Sequence, residues 1–229
     1  MIDPQYYRRQ PAVPRLLPLI LSGDLEAGGD PGASGSAEVA TQPCAFCGVH
    51  SGPWQSSVRS PDDGQRLVAA CPLCFLCFHL ERPSIDSEAV LIWLPEMSQA
   101  ALNVTMRALH IELRALGEDL DDADQQRSNT PGRAHLDYAR AIFGERGAAA
   151  VARLGTDRPS ELAAGFFRLS PSAYANRAKL LGGVRLLPRG HFYDRGADVY
   201  PEIVDFWRGA SKPQSSLPPG RPAPLVPGR

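Results

Sequence analysis

The sequence predicts an α+β chain: a small cysteine-bearing module with short strands, packed against a mainly helical C-terminal half. Three observations predict it. All five cysteines fall between residues 44 and 80, as two C-x2-C pairs and a spare. A continuous apolar run, Ala89-Val90-Leu91-Ile92-Trp93-Leu94, has the length and β-branched content of a buried strand. Beyond it, segments open on Ser or Pro, close on Gly and repeat their apolar residues at helical spacing.

Taken in order, residues 14–21 read as a strand or short buried segment. Residues 22–40 are rich in Gly, Ser, Ala and Asp and hold too little apolar surface to pack, so they read as a loop. The strand at 89–94 is ended by Pro95. Ser98 then offers a hydroxyl to the free N–H groups of a first helical turn. Behind it Leu102, Met106, Leu109, Leu113 and Leu116 fall at steps of four, three, four and three, one apolar stripe for core packing. His110 and His135 read as packing or surface residues. Glu118, Asp119, Asp121, Asp122 and Asp124 follow without the mid-loop Gly and closing Glu of a calcium loop, and read as a solvated acidic loop.

Residues 133–155 are helical, interrupted at Gly144 and Gly147. Pro159 and Ser170-Pro171 each open a further helix, and Gly182-Gly183 stops the second. Val184-Arg185-Leu186-Leu187-Pro188 is a short apolar segment. Pro201 to Trp207 is a last helix with Ile203, Phe206 and Trp207 to one side. After Gly209 six prolines fall in 21 residues, which reads as a disordered tail.

Composition narrows the function classes. The chain has 229 residues, with 24 Lys+Arg against 25 Asp+Glu. That argues against a uniformly basic nucleic-acid or membrane binder. The balance hides a split: residues 1–132 carry 9 cations and 17 acids, residues 133–229 carry 15 and 8. The Arg-rich half suits an acidic protein surface or the acidic stretch at 118–124. The longest apolar stretch near the N-terminus, Leu16-Leu17-Pro18-Leu19-Ile20-Leu21, is far short of the ~20 residues of a membrane span. Arg8 and Arg9 precede it as in a signal peptide, but Pro11, Pro14 and Pro18 break it, and no small-residue cleavage site follows. The expectation is a cytoplasmic protein.

The cysteines carry the chemistry. Cys44-Ala-Phe-Cys47 and Cys71-Pro-Leu-Cys74 are separated by 23 residues, a spacing suited to tetrahedral zinc. Each C-x2-C turn brings two thiolates to one point. Gly48 suits a tight knuckle, and the second pair can open a helix through Phe75, Phe78 and Leu80, where the helix dipole favours a thiolate at Cys74. A first knuckle on a hairpin and a second at a helix start is a treble-clef-like layout. The predicted metal ligands are Cys44, Cys47, Cys71 and Cys74, around a structural Zn2+. Cys77 is left as a small buried apolar residue, or as a substitute for Cys74. Disulfide pairing is the first alternative, disfavoured by a cytoplasmic address. A redox C-x2-C lacks a βαβ context. An iron–sulfur reading of Cys71, Cys74 and Cys77 meets Glu81 where the signature has its fourth Cys.

Four thiolates leave no open position for catalysis. A deaminase needs an H-x-E element, and the only His between the pairs, His50, is followed by Ser51-Gly52. HNH-type nucleases place a His general base between their Cys pairs. Here that interval has only His50, beside the first knuckle; His79 is one residue for two roles. From Cys44 to Pro83 three Arg (Arg59, Arg66, Arg82) face three acids (Asp62, Asp63, Glu81), with no cationic surplus for phosphates. An HNH or treble-clef nucleic-acid-binding protein or nuclease is the alternative function. The chain divides into an N-terminal segment and loop (1–40), a zinc-containing globular domain with a helical C-terminal half (41–208), and a Pro-rich tail (209–229).

The order Cys44-x2-Cys47-Gly48, Leu67-Val68-x-Ala70-Cys71-x2-Cys74-x2-Cys77-Phe78, Leu91-Ile92-Trp93-Leu94-Pro95-Glu96-Met97-Ser98-Gln99-Ala100-x-Leu102-Asn103 and Val184-Arg185-Leu186-Leu187-Pro188 resembles the IcmJ/DotN family of the Dot/Icm type IVB secretion system. The match runs from about residue 44 to residue 207. The resemblance implies a degenerate HNH or treble-clef fold that keeps structural zinc and has lost nuclease chemistry. It implies a non-enzymatic cytoplasmic protein, held at the inner membrane through the secretion complex. The implied partners are the C-terminal extension of a DotL-like coupling ATPase and other proteins of the coupling complex that recruits effectors. Family members carry a helical N-terminal segment where this chain has its loop at 22–40.

Overall fold

The computed structural model of the protein describes residues 16–23, 40–117, 120 and 131–210. The Arg8-Arg9 stretch, residues 24–39 of the loop expected at 22–40, the acids of 118–124 and the residues beyond Ala210 lie outside the described residues.

The fold is mixed α/β, with three two-stranded antiparallel sheets among the described residues and a helical C-terminal half. The first sheet is a hairpin, β1 (Ser56–Arg59) and β2 (Leu67–Ala70), paired from Ser56↔Ala70 to Arg59↔Leu67. Its turn is held by Asp63, whose Oδ1 accepts from the backbone N–H groups of Gln65 and Arg66, both at 3.0 Å. A short helix, α1 (Pro72–Leu76), follows. It ends before Phe78 and Leu80, both of which were expected within it. The chain is drawn off there to meet the N-terminal segment: Ser22 N–H donates to Cys77 O at 2.9 Å and Leu80 N–H to Ser22 O at 3.4 Å.

A one-turn helix, α2 (Ile85–Glu88), leads into β3 (Ala89–Trp93). This strand pairs antiparallel with the distant β4 (Val184–Pro188), from Ala89↔Pro188 to Trp93↔Val184. The outer edge of β3 is not left open. Leu91 N–H donates to Asp157 O at 2.8 Å and Trp93 N–H to Arg146 O at 3.2 Å, so the segments flanking one helix cap the edge.

The long helix α3 (Gln99–Ala115) begins as its cap predicts, Ser98 Oγ accepting from Ala101 N–H at 3.2 Å. Leu102, Met106, Leu109 and Leu113 are buried. Leu116 is not: it is the C-cap, half exposed, because the helix ends before its face is reached. The span 133–155 divides into α4 (Pro131–Gly144) and α5 (Gly147–Leu154). Gly147 starts the second helix rather than interrupting one. Helix α6 (Pro159–Phe166) follows, then α7 (Pro171–Ala175), capped by Ser170 Oγ, and α8 (Arg177–Leu180). Gly183 takes φ of +95°, and a Cβ there would stand 2.8 Å from the Trp93 ring, so this stop needs glycine for backbone and space alike. A last small hairpin, β5 (Tyr193–Asp194) and β6 (Ala197–Asp198), precedes α9 (Tyr200–Ala210). Ile203 and Trp207 are buried in α9, and Phe206 is half-buried beside them.

Helix α3 packs on β4 and α9, while α5 and α6 pack on β3. One apolar cluster runs from Cys44, Phe46 and Cys74 through Leu91, Ile92, Leu102 and Met106 to Ile203 and Trp207. The cysteine module and the helical half therefore share a core. Residues 16–23 form no strand. Their buried end, Leu21 to Gly23, lies against this module, and Leu17 N–H donates to Ala45 O at 2.8 Å. Among the described residues no helix is long and apolar enough to cross a membrane.

Candidate metal centre

The first cysteine pair sits on a tight knuckle. Gly48 N–H donates to Cys44 O and Cys44 N–H to Val49 O, both at 2.8 Å. Gly48 has φ of +75°, the left-handed conformation that lets the chain fold back under the two sulfurs. Ala45 N–H donates to Ala69 O at 2.8 Å, which ties the knuckle to the end of β2. The strand ends at Ala70, and Cys71 follows directly.

Cys71 is the N-cap of α1, with extended backbone and Pro72 at the first helical position. Phe75 N–H donates to Cys71 O at 2.8 Å, so the second pair spans the first turn. The hairpin turns the chain around between the pairs. As a result the Sγ atoms of Cys44, Cys47, Cys71 and Cys74 all lie within 4.8 Å of one another. Cys47 Sγ and Cys71 Sγ are 3.5 Å apart. A tetrahedral shell with Zn–S bonds of about 2.3 Å has its sulfurs roughly 3.8 Å apart, so the cluster is of the size such an ion needs. The cysteines form no disulfide. Cys44, Cys71 and Cys74 are buried, and Cys47 is half-buried at the edge.

The donor set fits a cation. Hydrogen bonding from Cys47, then from Cys71 and Cys74, holds the Cys44 thiol far below the usual thiol range. Burial pushes Cys71 and Cys74 up. Hydrogen bonding with Cys44 raises the Cys47 thiol, but hydrogen bonds from Cys71 and Cys74 hold it down as well, so the first pair is held low while the second is pushed up. A dication at the centre removes that conflict, since each thiolate then faces a positive charge.

Cys77 stands outside this group. Its thiol donates to Leu73 O at 3.5 Å, and burial pushes it up to about 12. It is a buried thiol in the core, the first of the two roles the sequence left open for it. None of the described histidines joins the sulfurs. His110 is buried on α3, with Nδ1 2.6 Å from the Tyr200 hydroxyl. His79 stacks on Phe75, ring centroids 4.1 Å apart, with Nδ1 2.9 Å from Glu81 Oε1. His50 lies near Phe206, ring centroids 6.4 Å apart. The side chain of His135 lies outside the described residues.

Two residues at the centre were not read from the sequence. Asn103 Nδ2 donates to Cys74 Sγ at 3.4 Å. Gln99 Nε2 donates to Asn103 Oδ1 at 2.9 Å and to Leu186 O at 2.8 Å, and Gln99 Oε1 accepts from Leu186 N–H at 2.7 Å. Both amides are buried. The signal was present: two carboxamides four apart on a helix, next to the apolar stripe, occupy positions where only a hydrogen-bonded polar group is tolerated.

Comparison of the sequence with protein-family models gives no match, and comparison with curated proteins gives none either.

Proposed function

We propose that the chain is a non-enzymatic, zinc-stabilised adaptor of a type IVB secretion coupling complex. In this reading it binds the C-terminal extension of a DotL-like coupling ATPase and helps recruit effectors. The observation that carries the structural part is the group of four sulfurs within 4.8 Å. Four thiolates complete a tetrahedral shell, leave no position for a reacting water, and make the metal a fastener rather than a reagent. The order of knuckle, hairpin and helix supports a treble-clef module. The partner is supported by the motif order described above, whose segments are physically joined here: β3 pairs with β4, Gln99 bonds Leu186, and Arg185 Nε donates to Met97 O at 2.6 Å.

Two measurements test the reading. Elemental analysis of the purified protein should find one zinc per chain, and co-purification should recover the cognate coupling ATPase tail. A folded, zinc-loaded protein that never associates with that tail would remove the partner assignment. Salt-sensitive DNA binding, or metal-dependent cleavage lost on His79→Ala, would establish the nuclease alternative instead.

A further inference from the structure

A cavity of about 530 Å³ opens between the hairpin, the end of the cysteine module and helices α6 to α8. That volume lies within the range of about 300–1,000 Å³ typical of small-molecule sites. Its wall is apolar and aromatic: Phe78, Phe166, Phe167 and Tyr174 line it. Phe166 and Tyr174 meet edge to face, centroids 5.6 Å apart, and Phe78 is backed by Phe46 of the first knuckle at 4.8 Å. These rings are held by the fold rather than folded loosely into the space.

Besides the Tyr174 phenol, the ionisable side chains that line the cavity are Arg59, His79 and Arg177, all basic. No carboxylate lines it. The Glu81 carboxylate is engaged with His79 Nδ1 at 2.9 Å and stands beside the lining residue Gly23, its Oε2 3.3 Å from where a Cβ there would lie. Arg177 is fixed in place: Nε donates to Leu21 O at 3.2 Å, Nη1 to Tyr174 O at 3.1 Å, and its guanidinium stands 4.2 Å over the Tyr174 ring. Arg59, at the end of β1, is exposed, and among the described residues its side chain forms no hydrogen bond or ion pair. A pre-positioned cation, an unpaired cation and an aromatic wall converge on one space.

We propose that this cavity binds a small aromatic anion, a ring system carrying a phosphate or carboxylate group. The ring lies among Phe78, Phe166, Phe167 and Tyr174, and the anionic group meets Arg59 and Arg177. Stacking and burial supply the affinity, and charge-assisted hydrogen bonds from the guanidiniums select the anion. The site is independent of the partner proposed above, so either assignment stands without the other.

The test is calorimetric titration of the full, metal-loaded chain with 1-naphthyl phosphate, 1-naphthoate and the uncharged 1-naphthol. At least one of the anions is expected to bind about tenfold or more tightly than the naphthol, as charged hydrogen bonds require. Arg59→Ala should remove most of that preference and leave naphthol binding and the thermal midpoint unchanged. Phe167→Ala should weaken all ligands that bind. Equal binding of anions and naphthol, or an anion preference that survives Arg59→Ala, overturns the proposal. Failure of all three compounds to bind overturns it, and binding of an acidic peptide in their place would assign the cavity to a protein partner.

Discussion

The side-chain amide of Asn103 donates to Sγ of Cys74 at 3.4 Å, across 29 positions of sequence. It is the point where the long helix touches the sulfur cluster. A thiolate that accepts an N–H bond spreads its charge and is fixed in direction. Asn103→Ala should leave one metal per chain but weaken its retention about 10- to 100-fold, the usual cost of losing an outer hydrogen bond. Competition with a chromogenic chelator measures this. Retention equal to wild type would mean that the contact only fills space.

The cysteines themselves should divide sharply. Cys44→Ser and Cys71→Ser should abolish metal retention and unfold the module, because metal binding supplies much of the folding free energy of such a unit. Cys77→Ser should retain metal and lose only a modest part of its stability. Metal analysis with near-ultraviolet circular dichroism separates the outcomes. An equal loss of metal in Cys77→Ser and Cys74→Ser would reassign the fourth ligand.

Metal retention should depend on pH in one direction. In the metal-free cluster burial pushes Cys71 and Cys74 up, so they carry their protons at neutral pH and the ion must displace them. Binding should therefore release protons, and acidification should weaken it steadily. Titrations in buffers of different ionisation enthalpy count the protons. A heat independent of buffer would contradict the assignment.

Arg82 and Glu88 form a buried ion pair, Nε to Oε2 at 3.0 Å and Nη2 to Oε1 at 2.7 Å, and Nη2 also donates to Tyr193 O. Glu88→Ala would leave a guanidinium buried without its counter-charge. The expected cost is about 3–5 kcal/mol, read as a shift in the urea midpoint. Arg82→Met combined with Glu88→Leu should restore much of it, since neither charge then remains.

Asp86, on α2, caps α6 from outside it. Its Oδ1 accepts from Ser160 N–H at 3.0 Å and its Oδ2 from Ser160 Oγ at 2.6 Å. The helix's own N-cap residue, Arg158, contributes no side-chain cap. Asp86→Ala should cost about 1 kcal/mol, as lost caps do. Burial raises the Asp86 carboxyl, but the bonds from Ser160 and Arg158 outweigh it and hold it below its ordinary value of 3.8. A lowered folded value stabilises the fold above the ordinary carboxylate range. That contribution disappears as pH falls through the lowered value, and acid unfolding of the variant should lack this component.

What was legible in the sequence was whatever one segment decides alone. Ser98 caps α3 because the cap is a contact three residues long. The cysteine pairs announce a cluster because a C-x2-C turn has few other uses, and the intervening hairpin had only to reverse the chain. Pairings between distant segments were not legible. Ala89–Trp93 and Val184–Pro188 both read as short apolar segments, yet nothing local says that they pair with each other. Leu116 continues the stripe in spacing, but Gly117, with φ of +74°, ends the helix at that residue. Residues 16–20 are apolar enough for a strand, yet Leu17 N–H bonds to Ala45 O on the knuckle and not to a strand. Asp86 could not be read as a cap, because its helix lies 74 positions away in Ser160.

The pairing of β3 with β4 also sets an order of events during synthesis. The four cysteines and the hairpin between them can emerge and close on a metal early. Gln99, however, meets Leu186 only after a further 87 residues have been made. At about 5–20 residues per second that is a wait of roughly 4–17 s. For that interval the apolar strand Ala89–Trp93 is without its partner, and its unpaired backbone is open to other nascent chains. The helices α3 to α8, encoded between the two strands, are what the cell makes during the delay. Translation rate across residues 99–186 is therefore a step, beside metal binding, on which the yield of folded protein should turn.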